Sequence, residues 1–104
     1  MNLADWLRQR TPTPPARLLA NVQRTLGDRC DRDASDAAGL CIDAAEELVR
    51  ELLARPSAGR ESALDVLTVD ALVTYAFEAA SDDPDSLGER AERAMARLAA
   101  TARE

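Results

Sequence analysis

Residues 66–80, VLTVDALVTYAFEAA, leave little freedom in how this chain can fold. Read as a helix, the stretch is apolar almost all round. Apart from Thr68, its polar residues Asp70, Thr74 and Glu78 recur at every fourth position, with Ser81 just beyond. At about 100° per residue these four fall within an arc of roughly 80°. A helix wet on so narrow a strip must be covered on its other sides. The spacing therefore predicts an all-α protein, a compact bundle of four to five helices around a central helix near 66–80. On this reading Leu72 and Phe77 both belong to the core, and Phe77→Ala is expected to cost about 3–5 kcal/mol. Thr68 leaves open whether residues 62–81 form one helix or two pieces meeting near Leu67.

The other segments each offer a single apolar face. Asn2 and Asp5 form a capping pair for a short arm at about residues 2–10, on which Leu3, Trp6 and Leu7 share one side. A proline elbow, Thr11-Pro-Thr-Pro-Pro15, follows. The next helix is expected from Thr13 as cap and Pro14 as first residue to Leu26, where Gly27 stops it. Asp28–Ser35 reads as a solvated linker. Asp31, Asp33 and Ser35 alternate as in a calcium loop, but Asp36 stands where that loop needs glycine and Ile42 where it needs glutamate. From about Ser35 to Ala54, the row Ala38, Cys41, Ala45, Leu48 and Leu52, flanked by Ile42, Val49 and Leu53, predicts a helix. Its opposite face (Asp43, Glu46, Glu47, Arg50, Glu51) is expected in solvent, with Glu46–Arg50 and Glu51–Arg55 as favourable pairs. A last helix opens at the capping box Ser86-Leu-Gly-Glu89. It carries the stripe Leu87, Ala91, Ala94, Met95, Leu98 and Ala102, expected to lie close against the central helix.

At 104 residues the chain is expected to be one helical domain. Its thirteen basic residues are all Arg; with no His and no Lys, histidine acid–base chemistry, Schiff-base lysine and P-loop phosphate binding each lack an essential group. No metal or cofactor site is expected, and the chain is read as a non-enzyme. Cys30 and Cys41 read as reduced thiols, since the first residues lack a leader's apolar core and no run approaches membrane-spanning length. The expected location is cytoplasmic, with no membrane partner. Residues 1–32 carry a net +3 and residues 33–104 a net −9, for −6 in all, which argues against nucleic acid. The arginine and alanine bias fits a GC-rich bacterial genome.

The run LTVDALVTYAFEAASDDP resembles the mid-chain helix of trans-polyprenyl diphosphate synthases, in which an Asp-Ala-Leu step precedes an Ala-Phe-Glu step. It covers 18 of 104 residues. The resemblance implies two aspartate-rich motifs that hold magnesium and a diphosphate. Asp82 and Asp83 approach one of them, but Ser86 stands where its last aspartate belongs and a second motif is missing, so no site is carried over.

Two functional expectations remain. The first is a protein-interaction or self-associating module whose partner, a protein or a second copy, meets Leu3, Trp6 and Leu7. The same three side chains could instead seal the core. The alternative is a small-ligand site along Asp70, Thr74 and Glu78. Asp70 and Glu78 are two turns apart, about 12 Å by helical rise, too far to share one proton or metal.

Overall fold

The computed structural model describes residues 1–55, 59–82 and 87–103, the side chains of Glu61, Leu87, Glu89, Arg90 and Arg103 excepted. The described residues form five α-helices and no strand: α1 Leu3–Arg8, α2 Ala16–Leu26, α3 Ala37–Ala54, α4 Arg60–Ser81 and α5 Leu87–Arg103. Two short 3-10 turns, Gly27–Asp31 and Ala34–Asp36, join α2 to α3. The expected capping box at Ser86 and the helix breaks at Pro56 and Pro84 lie outside the described residues. No helix is long and apolar enough to cross a membrane, among the residues described.

Local chemistry sets most of the boundaries. The Asn2 side chain accepts a 2.9 Å hydrogen bond from the Asp5 amide, capping α1. Gly27, at φ 57°, ends α2 in a conformation that L side chains avoid. The expected start of α2 at Thr13 and Pro14 is corrected to Ala16. Thr13 and Pro14 each precede a proline, which disfavours the helical region for both. Likewise α4 begins at Arg60 rather than at Ser62. It runs as one helix through Thr68, whose hydroxyl donates back to the Leu64 carbonyl at 2.8 Å, a contact that a helix tolerates.

The hub is the α3–α4 hairpin, which makes the most extensive helix–helix contact in the chain. Ala37, Ala44, Ala45 and Ala76 are buried in it together with Leu40, Cys41, Ile42 and Leu72. Small side chains let the two helix axes approach; the larger ones supply most of the transfer free energy. α1 and α2 close one side of the hairpin with Leu3, Trp6, Leu7, Val22 and Leu26. Here the Trp6 ring meets Tyr75 edge-on, with centroids 6.1 Å apart and planes at 84°.

Three expectations about burial fail. Phe77 is 52% exposed, and Val66 and Leu67 are 58% and 55% exposed, so α4 is central but is covered on one broad side only. There are too few helices to wrap it. Leu53, in the last turn of α3, faces solvent beyond the reach of its neighbours. Glu46, expected in water, is buried. α5 crosses that part of α3, and Arg97 from α5 reaches both Glu46 and Asp43.

A polar network joins α2 to α4. Asn21 donates through Nδ2 to Asp65 Oδ1 at 3.1 Å and to Thr68 Oγ1 at 2.6 Å, with all three residues buried. Arg55, at the end of α3, donates to Asp65 Oδ2 at 3.1 Å in place of the expected partner Glu51. Every member of the network is satisfied, so it fixes the register of α2 on α4 at little cost.

Candidate functional site

α5 does not lie flush on the hairpin. It packs more on α3 than on α4, contrary to the sequence expectation. Between the first turns of α3, the last turns of α4 and α5 it leaves a groove of about 370 Å³. The walls are small and apolar, with Ala38, Gly39, Ala76, Ala80, Ala91 and Ala94 facing inward and the Phe77 ring at the margin. The alanine content of α5 explains the gap, because its side chains are too short to fill the space that helix packing leaves. On α5 the large side chains turn elsewhere. Met95 is 69% exposed and Leu98 37% exposed, while among the described side chains of this helix the buried one is Thr101.

One edge of the groove is ionic. The Arg97 guanidinium is hydrogen-bonded to the Asp43 carboxylate, and its Nε lies 2.8 Å from Glu46 Oε2. That Nε–H is off the line a hydrogen bond needs, so Glu46 Oε2 is held there by charge and not by a directed bond. Arg50 holds the other oxygen of Glu46 at 2.8 Å. The bond to Asp43, together with both carboxylates, keeps the Arg97 guanidinium above its already high ordinary pKa. These pairs tether α5 where its alanines provide little apolar burial.

The residues singled out in the sequence are found away from this groove. Leu3, Trp6 and Leu7 are buried in the chain's own core, with the Arg10 guanidinium 4.0 Å over the Trp6 ring. A docking role for them requires the arm to leave the core. Asp70, Thr74 and Glu78 are exposed on the outer side of α4, where the Thr74 hydroxyl donates to the Asp70 carbonyl at 2.9 Å. The strip does not line the groove. Among the described residues, no three Cys, Asp or Glu side chains converge as a metal site would require. Cys41 is buried and Cys30 partly so, both as free thiols. Burial, with a smaller contribution from Cys30, pushes the Cys41 thiol up to about 12. Desolvation, then the nearby Asp31, raises that of Cys30. Neither thiol is activated as a nucleophile.

Comparison with protein-family models, with curated proteins and with solved structures gives no match to this chain.

Sequence reasoning missed Phe77, Met95 and the groove. One signal was present: α5 pairs a capping-box start with a stripe in which Met95 and Leu98 are almost the only large residues. A stripe that poor in volume cannot seal against a neighbour.

Proposed function

We propose that this chain is a non-catalytic interaction module whose partner is a second copy of itself, docked through α5 and the outer side of the last turns of α4. The observation that carries this reading is the exposure of Phe77 at the margin of an unfilled alanine-walled groove, with Met95 a second exposed large apolar side chain on α5. Large apolar side chains exposed beside an apolar groove are a feature of contact sites. The exposed surface of these two helices carries both signs, with Asp70 and Glu78 on the outer side of α4 and Arg93 on α5. An isologous interface needs such self-complementarity, since a twofold-related copy sets its basic α5 edge against the acidic strip of the first. The area required is also modest. A standard interface takes ~800 Å² per subunit, about one-eighth of the 6552 Å² this chain exposes. The missing histidine and lysine and the inert thiols favour binding over catalysis. Free thiols also favour a cytoplasmic location.

Light scattering coupled to size exclusion tests the reading. The wild type should run at about twice the 11.2 kDa chain mass at high concentration and dissociate on dilution. Phe77→Glu and Met95→Glu should each run as a monomer with unchanged helicity. A wild type that stays monomeric at every concentration, or a dimer that survives both substitutions, overturns the proposal.

A further inference from the structure

We infer that the cleft between α2, the second half of α3 and the first turns of α4 binds a small oxyanion, a carboxylate or phosphate group, through Arg17, Arg24 and Arg55. The cleft has a volume of about 550 Å³, within the range of small-molecule sites. It is distinct from the groove under α5, and no residue lines both.

The supply of donors exceeds what the fold needs. Arg17, Asn21 and Arg24 occupy positions i, i+4 and i+7 of α2, so they form one stripe along the cleft wall. Arg55 faces them from the end of α3. The buried carboxylate of Asp65 is the anion these groups surround. Arg55 lies 3.1 Å from one of its oxygens and Arg24 3.7 Å from the other. Locking α2 to α4 requires only the Asn21–Asp65–Thr68 hydrogen bonds and one compensating cation. The second guanidinium is surplus to that role, and Arg17 has no carboxylate partner among the described residues.

The surplus groups are also oriented in advance. Arg24 donates through Nε and Nη2 to Asn21 Oδ1, the Nε bond being 3.0 Å. Arg55 donates through Nε to the Glu51 carbonyl at 3.4 Å and through Nη2 to Asp65. Each guanidinium has five N–H donors, so both retain an Nη1 amino group for a ligand. Asn21 and Asp65, the side chains that hold them, are buried, which restricts the two forks before anything binds and lowers the ordering cost. Guanidinium forks match the oxygens of carboxylate and phosphate.

The opposite wall limits the size of the ligand. Glu47, itself 2.6 Å from Arg29, and Glu51, which has no ion pair among the described residues, stand on α3 at the cleft. With a net charge of −6 over the whole chain, they repel a polyanion and leave a compact one, seated on the α2 side, as the acceptable ligand. The basic excess of residues 1–32 thus has a local use, because Arg17 and Arg24 are among the residues that produce it.

Titration of ¹⁵N-labelled protein with inorganic phosphate and, separately, with acetate decides the matter, using sodium chloride at matched ionic strength as the control. The Asn21 side-chain amide and the Arg24 and Arg55 Nε signals should shift and saturate with at least one of the two. Saturation by phosphate alone assigns a phosphate ligand, and by acetate alone a carboxylate. Arg17→Gln removes no internal partner, so it should fold normally while weakening binding about tenfold, the effect of one charge-assisted contact. Glu51→Gln should tighten it. Shifts that never saturate, shifts reproduced by chloride, or an Arg17→Gln affinity equal to that of the wild type overturn the inference.

Discussion

Leu72 and Phe77 sit five residues apart on α4, and the sequence alone treats them alike. The structure separates them sharply: Leu72 is 0% exposed and Phe77 is 52% exposed. Leu72→Ala removes three buried carbons, about 2.4 kcal/mol at ~0.8 per methylene, before any cavity cost. The surrounding cluster includes Ala37, Ala44, Ala45 and Ala76, whose side chains have no rotamers with which to close a hole. The loss should therefore reach about 3–4 kcal/mol. Phe77→Ala removes a larger group from a site that is only half withdrawn from water, which lowers the expected loss to about 1 kcal/mol. The gap of ~2–3 kcal/mol corresponds to about 10–20 °C in Tm for a chain of this size. Urea unfolding followed by far-UV circular dichroism measures both variants. Low micromolar protein keeps any self-association out of the comparison. Should Phe77→Ala come within about 1 kcal/mol of Leu72→Ala, the placement of α4 derived above is wrong.

Two further outcomes follow from the polar groups. A thiol whose pKa rises on folding holds its proton more tightly in the folded state, so its contribution is complete below the unfolded value and declines as pH climbs toward the folded one. For Cys41 that window runs from 9.0 to about 12. Wild-type stability should fall by a few kcal/mol across it, while Cys41→Ala gives a flatter profile of urea midpoint against pH. Arg97→Ala leaves Glu46 buried with only Arg50 as cation, and should cost about 1–2 kcal/mol since Arg97 is itself half in solvent. The loss should be local. Amide exchange in residues 91–101 should accelerate while that of α3 stays slow, and uniform acceleration would contradict the tethering role.

What the sequence discloses depends on how far away the deciding partner lies. Asn2 caps its own helix, and Gly27 ends its own, so both are readable within three or four residues. The amphipathic pattern of α3 is likewise local, and the row Ala38, Cys41, Ala45 and Leu48 is buried as expected. The role of Asp65 is not legible locally because its partner, Asn21, is 44 positions away. Glu46 read as solvated because Arg97 arrives from α5. Phe77 failed for a different reason. An apolar sequence states what a helix can bury, and the number of neighbouring helices decides how much of it is buried. The groove escaped notice because it is a property of volume and not of pattern. Alanines mark a helical stripe as well as leucines do, yet they leave the space beneath it open.

The first three residues are fastened to the turns between α2 and α3. Leu3 donates its amide to the Arg32 carbonyl at 2.8 Å, and the Ala34 amide donates to the Met1 carbonyl at 3.0 Å, making a single bridge between Asn2 and Asp33. This clasp closes a loop of about thirty residues, a closure whose entropy cost falls when α2 and the turns after it are already in place. The α3–α4 hairpin, whose helices are neighbours in sequence, carries no such delay. Trp6, the one tryptophan, lies inside the clasped arm. Its ring packs on Tyr75 of α4, so its fluorescence on refolding should report the docking of the clasped arm on the hairpin and lag behind the circular dichroism signal of helix formation.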